Sequence, residues 1–161
     1  MRLRALAIFC ALPPFLGVPR MVAADPQGFA YWSSAELKGL QQKLAPKMDG
    51  AKFASQQLAR YANHYTMVAH REGNGQAELH KTDADLFVVQ TGTATLVVGG
   101  KILNSKESAA NEVRGTGIEG GTKHVLGAGD IVHIPANTPH QLQIEPGKEF
   151  TYFTLKVMNQ Q

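Results

Sequence analysis

In AELHKTDADLFVVQTG, residues 77–92, three residue types able to bind a metal ion stand close together, in Glu78, His80 and Asp85. Successive side chains of an extended chain point to opposite faces, so Glu78 and His80 share a face. Asp85 opens the next apolar run and shares its face with Phe87 and Val89. A second polar cluster lies downstream in GDIVHIPANTPHQLQI, residues 129–144. There a strand containing His133 leads to Pro135, a tight turn passes through Asn137, and His140 begins the returning strand. The two stretches could form a metal cradle on a β-scaffold. They could equally form a polar rim whose members bind one another and water.

The surrounding sequence dictates what must hold these residues. From residue 51 to 161 the chain reads as short β-rich runs broken by glycine and proline, which points to an all-β sandwich or small barrel. The pattern predicts strands near 62–71, 76–81, 85–90, 94–98, 130–134, 140–144 and 150–157. Turns are expected at EGNG, QTGT, VGGK, GAGD, IPANTP and EPGK. Residues 101–123 are long and polar, and read as an extended loop with room for a short edge strand. Residues 25–50 form an N-terminal arm with one helix. Ser33 and Glu36 have capping-box spacing, Leu37, Leu40 and Leu44 repeat at helical intervals, and Pro46 ends the pattern. The expected place of this helix is the outside of the barrel.

Residues 1–24 read differently. Arg2 and Arg4 precede an apolar run interrupted by Pro13 and Pro14, and small residues follow around Ala24. This is the order of a cleaved secretory signal, and the run is too short to span a bilayer. The expectation is an exported protein, periplasmic or extracellular, that begins at Asp25 and has no membrane segment after cleavage. Cleavage changes the charge argument. The whole chain carries 16 basic and 13 acidic residues. The leader removes Arg2, Arg4 and Arg20 and no acid, which leaves the two signs balanced. A nucleic-acid partner is therefore not expected, because such binding needs a surplus of Lys and Arg. The one cysteine, Cys10, also lies in the leader, so the fold must be held by its core rather than by disulfides.

The two polar stretches resemble the paired motifs of the cupin family. His80 stands at the second histidine of the first motif, Asp85 at its glutamate and Gly92 at its glycine; Glu78 fills the place of the first histidine. Gly129, Pro135, Asn137 and His140 occupy the second motif, with Asn137 at a position that wants left-handed turn geometry and Ile144 at its final asparagine. The resemblance covers roughly residues 60–157. It implies a double-stranded β-helix, a jelly-roll barrel with its site inside the mouth. It also implies one divalent metal held by His80, Asp85 and His140, with Glu78 as a fourth ligand. Two imidazoles with carboxylates suit Mn, Fe, Zn or Ni and disfavour copper. Asp85 is one methylene shorter than glutamate. It can ligate directly, ligate through a water, or orient a histidine. Glu78 can ligate or act as a general base.

Other residues invite weaker readings. His133 could line the pocket, or could be a packed histidine with a backbone partner. His64 and His70 share a strand face, and His124 is expected to be exposed. Tyr152 and Lys156 share a face opposite Phe153, Leu155 and Val157. If the apolar set faces the core, Lys156 is solvated, and that order is the expected one. The reverse order would make Lys156 an interior cation that competes with a metal. GTGIEGG lacks phosphate-loop spacing and joins no strand to a helix, so nucleotide binding is excluded.

The reading that follows is an exported cupin acting on a small polar organic molecule as a metal-dependent dioxygenase, isomerase or lyase. The alternative is a non-catalytic module that binds or senses a small ligand. Open strand edges and the resemblance suggest a homodimer.

Overall fold

The computed structural model describes residues 24–160. The expected leader, residues 1–24, thus lies outside the described residues except for Ala24. Among the described residues no helix is long and apolar enough to cross a membrane.

The helix forms where its cap predicts. The Ser33 hydroxyl accepts the backbone N–H of Glu36 at 3.2 Å, and the Glu36 carboxylate accepts the backbone N–H of Ser33 at 2.7 Å. These bonds satisfy donors that the first turn of helix α1 (Ser34–Leu44) would otherwise leave open. A 3-10 turn, Ala45–Lys47, follows at Pro46. One face of α1 carries Leu37, Leu40 and Leu44, which pack with Ala54, Val68 and Phe153 on the outside of the sheet. Full burial of a leucine side chain such as Leu44 is worth about 1.5–3 kcal/mol.

The rest is strand: β1 (Phe53–Arg60), β2 (His64–Arg71), β3 (Ala77–His80), β4 (Ala84–Val98), β5 (Lys101–Leu103), β6 (Lys106–Ala109), β7 (Glu112–Gly115), β8 (Gly117–Glu119), β9 (Thr122–Gly127), β10 (Ile131–Ile134), β11 (His140–Gln143) and β12 (Phe150–Val157). Every pairing is antiparallel. One curled layer runs β1-β2-β12-β4-β10, and the other runs β9-β4-β11-β3-β7-β6. Strand β4 belongs to both. Its first half pairs β12 and β10, and its second half pairs β11 and β9. The layers close over an apolar core that includes Phe87, Leu96, Leu126, Ile134, Leu142 and Phe150. This is the expected all-β, cupin-like jelly roll.

Three local expectations change. QTGT is not a turn, because residues 84–98 form one strand of 15 residues. The register against β12 slips between Thr151 and Tyr152, and Gly92 takes φ +80°. A Cβ on Gly92 would lie 1.9 Å from the carbonyl oxygen of Glu149, so the glycine lets two backbones meet inside a bent strand. The segment 101–123 is not a loop. It holds β5 to β8, and β7 pairs with β3. Finally, β1 precedes the first expected strand and covers the edge of β2.

Candidate metal and ligand site

Alternation along β3 turns Glu78 and His80 to the interior, as the sequence predicts. The backbone register sets Glu78 opposite His140 on β11. The turn before β11 passes through Asn137 at φ +58°, and the Asn137 N–H donates to the carbonyl of His80 at 2.7 Å. That bond ties the second polar stretch to the first. The ligand-type atoms of Glu78, His80 and His140 all lie within 4.8 Å of one another. The two imidazoles are 5.4 Å apart, centre to centre.

His140 is buried, and its Nδ1 lies 3.0 Å from the carbonyl oxygen of Thr138. A carbonyl can only accept, so Nδ1 carries the hydrogen in that bond. In the neutral ring the Nε2 lone pair then faces inward, 3.5 Å from Glu78 Oε1 and 3.6 Å from Asp85 Oδ2. It is buried and has no hydrogen-bond partner. An orphaned acceptor beside two carboxylates and a second imidazole fits a cation.

Asp85 stands outside the three-residue set. Its Oδ2 is 3.3 Å from His80 Nε2, but its Oδ1 pairs with the Lys156 ammonium at 2.9 Å. Lys156 therefore faces the interior, and the expectation that it is solvated is corrected. Phe150, Tyr152, Thr154 and Lys156 point inward, while Phe153 packs beneath α1. Asp85 Oδ2 also lies 3.6 Å from His140 Nε2, so ligation and the orienting of His80 both stay open to it.

Charge accounts for the protonation states. Burial raises the Glu78 carboxyl, but the close approach of the His140 ring and the charges of His140, Arg114 and His80 overcome it and bring the pKa to about 2. Burial likewise raises Asp85, but His80 and Lys156 outweigh it and hold the group below the ordinary aspartate value. Burial lowers His140, and the adjacent Glu78 carboxylate, with help from Thr138 and Asp85, reverses the shift and raises it. Burial raises Tyr65 and Tyr152; nearby carboxylates add to the rise at Tyr65, and Arg71 opposes but does not cancel the rise at Tyr152.

Glu78, His80, Asp85, Tyr65 and Tyr152 line a cavity of about 550 Å³. Several of its residues escape the sequence reading. Arg114 on β7 lies opposite Glu78 and pairs with it at 3.0 Å, and it also pairs with Glu112. Both sit in the segment read as a loop, although their spacing of two is a strand signal. Arg71 lines the cavity because β2 turns Tyr65, Met67 and Arg71 inward. The same alternation sends His70 outward, where its Nδ1 meets the Thr151 hydroxyl at 2.8 Å. There His70, Glu72 and Glu149 form a second close group. His64 stacks on Tyr61 at 4.6 Å and does not line the cavity. His133 is exposed and lines a separate groove with His124, Val125 and Ile131, so it does not border the barrel cavity. His124 is exposed as expected.

Comparison with known proteins agrees with this architecture. The family described as AraC-like ligand binding domain matches residues 115–161, which contain His140 but neither Glu78 nor His80. No curated protein matches the chain in sequence. Among solved structures, an uncharacterized conserved protein with a double-stranded β-helix domain from Klebsiella pneumoniae superposes with a TM-score of 0.54 at 15% identity, over 80% of this chain and 90% of that one. The cupin domain of Cnp3 from Schizosaccharomyces pombe gives a TM-score of 0.50 at 8% identity, over 71% and 67% of the two chains. The DMSP lyase DddQ from Ruegeria pomeroyi gives 0.48 at 17% identity over 66% of this chain, which spans only 47% of that lyase's length. The chain thus has the cupin double-stranded β-helix fold, and its C-terminal strands, residues 115–161, match the AraC-like ligand binding domain.

Proposed function

We propose that this protein is an exported metal-dependent enzyme that holds one divalent ion on Glu78, His80 and His140 and converts a small polar organic molecule in the barrel cavity. The observation that carries the reading is the buried Nε2 of His140, which has no hydrogen-bond partner and lies beside Glu78 within a three-donor set. When bound, the ion would supply Lewis acidity with positions left open for a ligand. Two imidazoles and a carboxylate suit Mn or Fe, with Zn and Ni also accommodated.

Glu78 acts here as a ligand and not as a general base. A carboxylate with a pKa near 2 is a weak proton acceptor at neutral pH, and general bases work best with a pKa close to the working pH. Arg114 holds one oxygen of Glu78 and leaves the other facing His140. Asp85 and Lys156 form the wall behind His80.

A second reading, a module that binds a ligand without turnover, is favoured by the match to an AraC-like ligand binding domain. Export rests on residues 1–24, and the exported protein should begin within two residues of Asp25. Elemental analysis of protein purified without added metal should find about one Mn, Fe, Zn or Ni per chain. Metal-loaded and metal-stripped protein are then compared for turnover on small hydroxy, keto and phenolic acids and sugars. Metal-dependent turnover supports the enzyme. Ligand binding without conversion under any of the metals leaves the binding module.

A further inference from the structure

We infer that the ligand of the barrel cavity is a small organic carboxylate whose acid group is held by Arg71. The inference rests on the cavity being the ligand site, but not on which metal it holds.

Arg71 is only 9% exposed, yet no carboxylate lies within ion-pair distance of it among the described residues. The cavity's other cations are already engaged. Arg114 faces Glu78 and Glu112, and Lys156 faces Asp85. The Arg71 guanidinium lies over the Phe53 ring at 4.1 Å, and its Nε reaches the Tyr152 hydroxyl at 3.4 Å, a long hydrogen bond. Phe53 and Tyr152 fix the plane of the group without neutralising it. Its two Nη atoms make no hydrogen bond among the described residues, and that edge is the fork that takes a carboxylate in two parallel bonds. The Nη edge faces the open cavity, where a bound anion supplies the opposite charge that water does not.

The surroundings select the anion and its size. The cavity wall also carries Glu78, Asp85 and Glu112, which disfavour a dianionic group such as phosphate. One unengaged guanidinium matches one carboxylate. A Cβ on Gly75 would lie 3.3 Å from Arg71 Nη1, so the guanidinium sits beside this residue. Gly75 precedes Glu78 by three residues along an extended segment, roughly 10 Å. An acid with a polar group a few bonds from its carboxylate would reach from Arg71 toward the donor set.

The test uses the full chain as exported, loaded with Mn(II) and checked for metal content. Glycolate, lactate, 4-hydroxybutyrate and 4-hydroxybenzoate, each a monocarboxylate with one further polar group, are titrated by calorimetry at constant ionic strength, each beside its amide, with inorganic phosphate as competitor. At least one acid should bind, with its amide at least tenfold weaker. Arg71→Gln should weaken the acid at least tenfold while metal content stays at one per chain, and Arg71→Lys should restore part of the loss. A second readout does not depend on a folded variant. In the wild-type protein the bound acid should protect Arg71 from phenylglyoxal, as read by mass spectrometry, and the amide should not. The inference is overturned if metal-loaded protein binds none of the acids, if acid and amide bind equally, if phosphate outcompetes the acids tenfold, or if Arg71 modification is unaffected by acid. A chain that binds acid at Arg71 but takes up no metal would instead remove the metal-dependent function and leave this inference standing.

Discussion

Two buried histidines in this molecule each have an Nε2 with no hydrogen-bond partner: His140 inside the barrel and His70 beneath its outer face. Each also lies near carboxylates. The difference lies in what holds the other nitrogen. The Nδ1 of His140 meets a backbone carbonyl, which can only accept, so the neutral ring must turn a lone pair toward Glu78 and Asp85. The Nδ1 of His70 meets the Thr151 hydroxyl, which can donate or accept. His70 can therefore take the tautomer that places a proton on Nε2, facing Glu72 at 3.7 Å. A neutral His140 turns a bare acceptor toward two carboxylates, which a second proton or a metal ion would satisfy, whereas a neutral His70 meets its surroundings by choice of tautomer. Under the proposed metal site, the same residue type at the same depth would serve a ligand set in one place and packing in the other.

The most severe way to break this comparison is to remove each ring. His80→Ala and His140→Ala should each reduce metal from about one atom per chain to near none, because the remaining donors are too few to compete with water. His70→Ala should leave metal content unchanged. Metal loss from His70→Ala would show that the outer group matters to the site.

Stability should show the reverse order. His70 is fully buried and bonds a buried threonine, so His70→Ala should cost about 2–4 kcal/mol from the cavity and the orphaned hydroxyl. Denaturant unfolding of metal-free protein measures this. A loss below about 1 kcal/mol would remove the packing role given to His70.

Acidity sharpens the inner half of the comparison. The Glu78 carboxyl is lowered from 4.5 to about 2 in the folded protein, so its contribution to stability is present above about pH 4.5 and is lost as pH falls toward 2. The His140 ring is raised, so its contribution is full below the unfolded value of 6.5 and is lost as pH rises through the folded one. The two groups titrate as a pair. Metal-free protein should therefore be most stable between about pH 4.5 and 6.5. Metal affinity should run the other way and fall in acid, because the proton competes for the imidazole. Thermal melts with and without Mn(II) across pH test both signs, and parallel curves would contradict the assignment.

The smallest effect is expected at Lys156. Replacing it with methionine frees Asp85 Oδ1 and removes a cation near the donor set. Metal affinity should rise by up to about tenfold, as expected for loss of one partly screened like charge. A fall in affinity would mean that Lys156 supports the site rather than opposing it.

Much of this was legible in the chain. The Ser33–Glu36 cap, the shared face of Glu78 and His80, and the run from Gly129 through Asn137 to His140 all depend on spacing within a few residues. Short-range geometry of that kind is set by backbone alternation and turn chemistry, which each residue carries with it. The barrel fold follows from the same local signals, and its cupin character from the resemblance of the paired motifs.

The tertiary structure decided the rest. Strand β12 has apolar residues on both faces, so its sequence alone does not say whether Phe153 or Tyr152 turns inward. The register against β2 and β4, and the seat of Phe153 under α1, decide that Lys156 meets Asp85. Glu112 and Arg114 reach the site only because β7 pairs with β3, across more than thirty positions of chain. The sequence by itself determined which side chains could share a strand face and where the chain must turn. Which faces meet across the barrel, and so why Arg71 is left without an acid while Arg114 and Lys156 have theirs, depended on long-range pairing that no local pattern encodes.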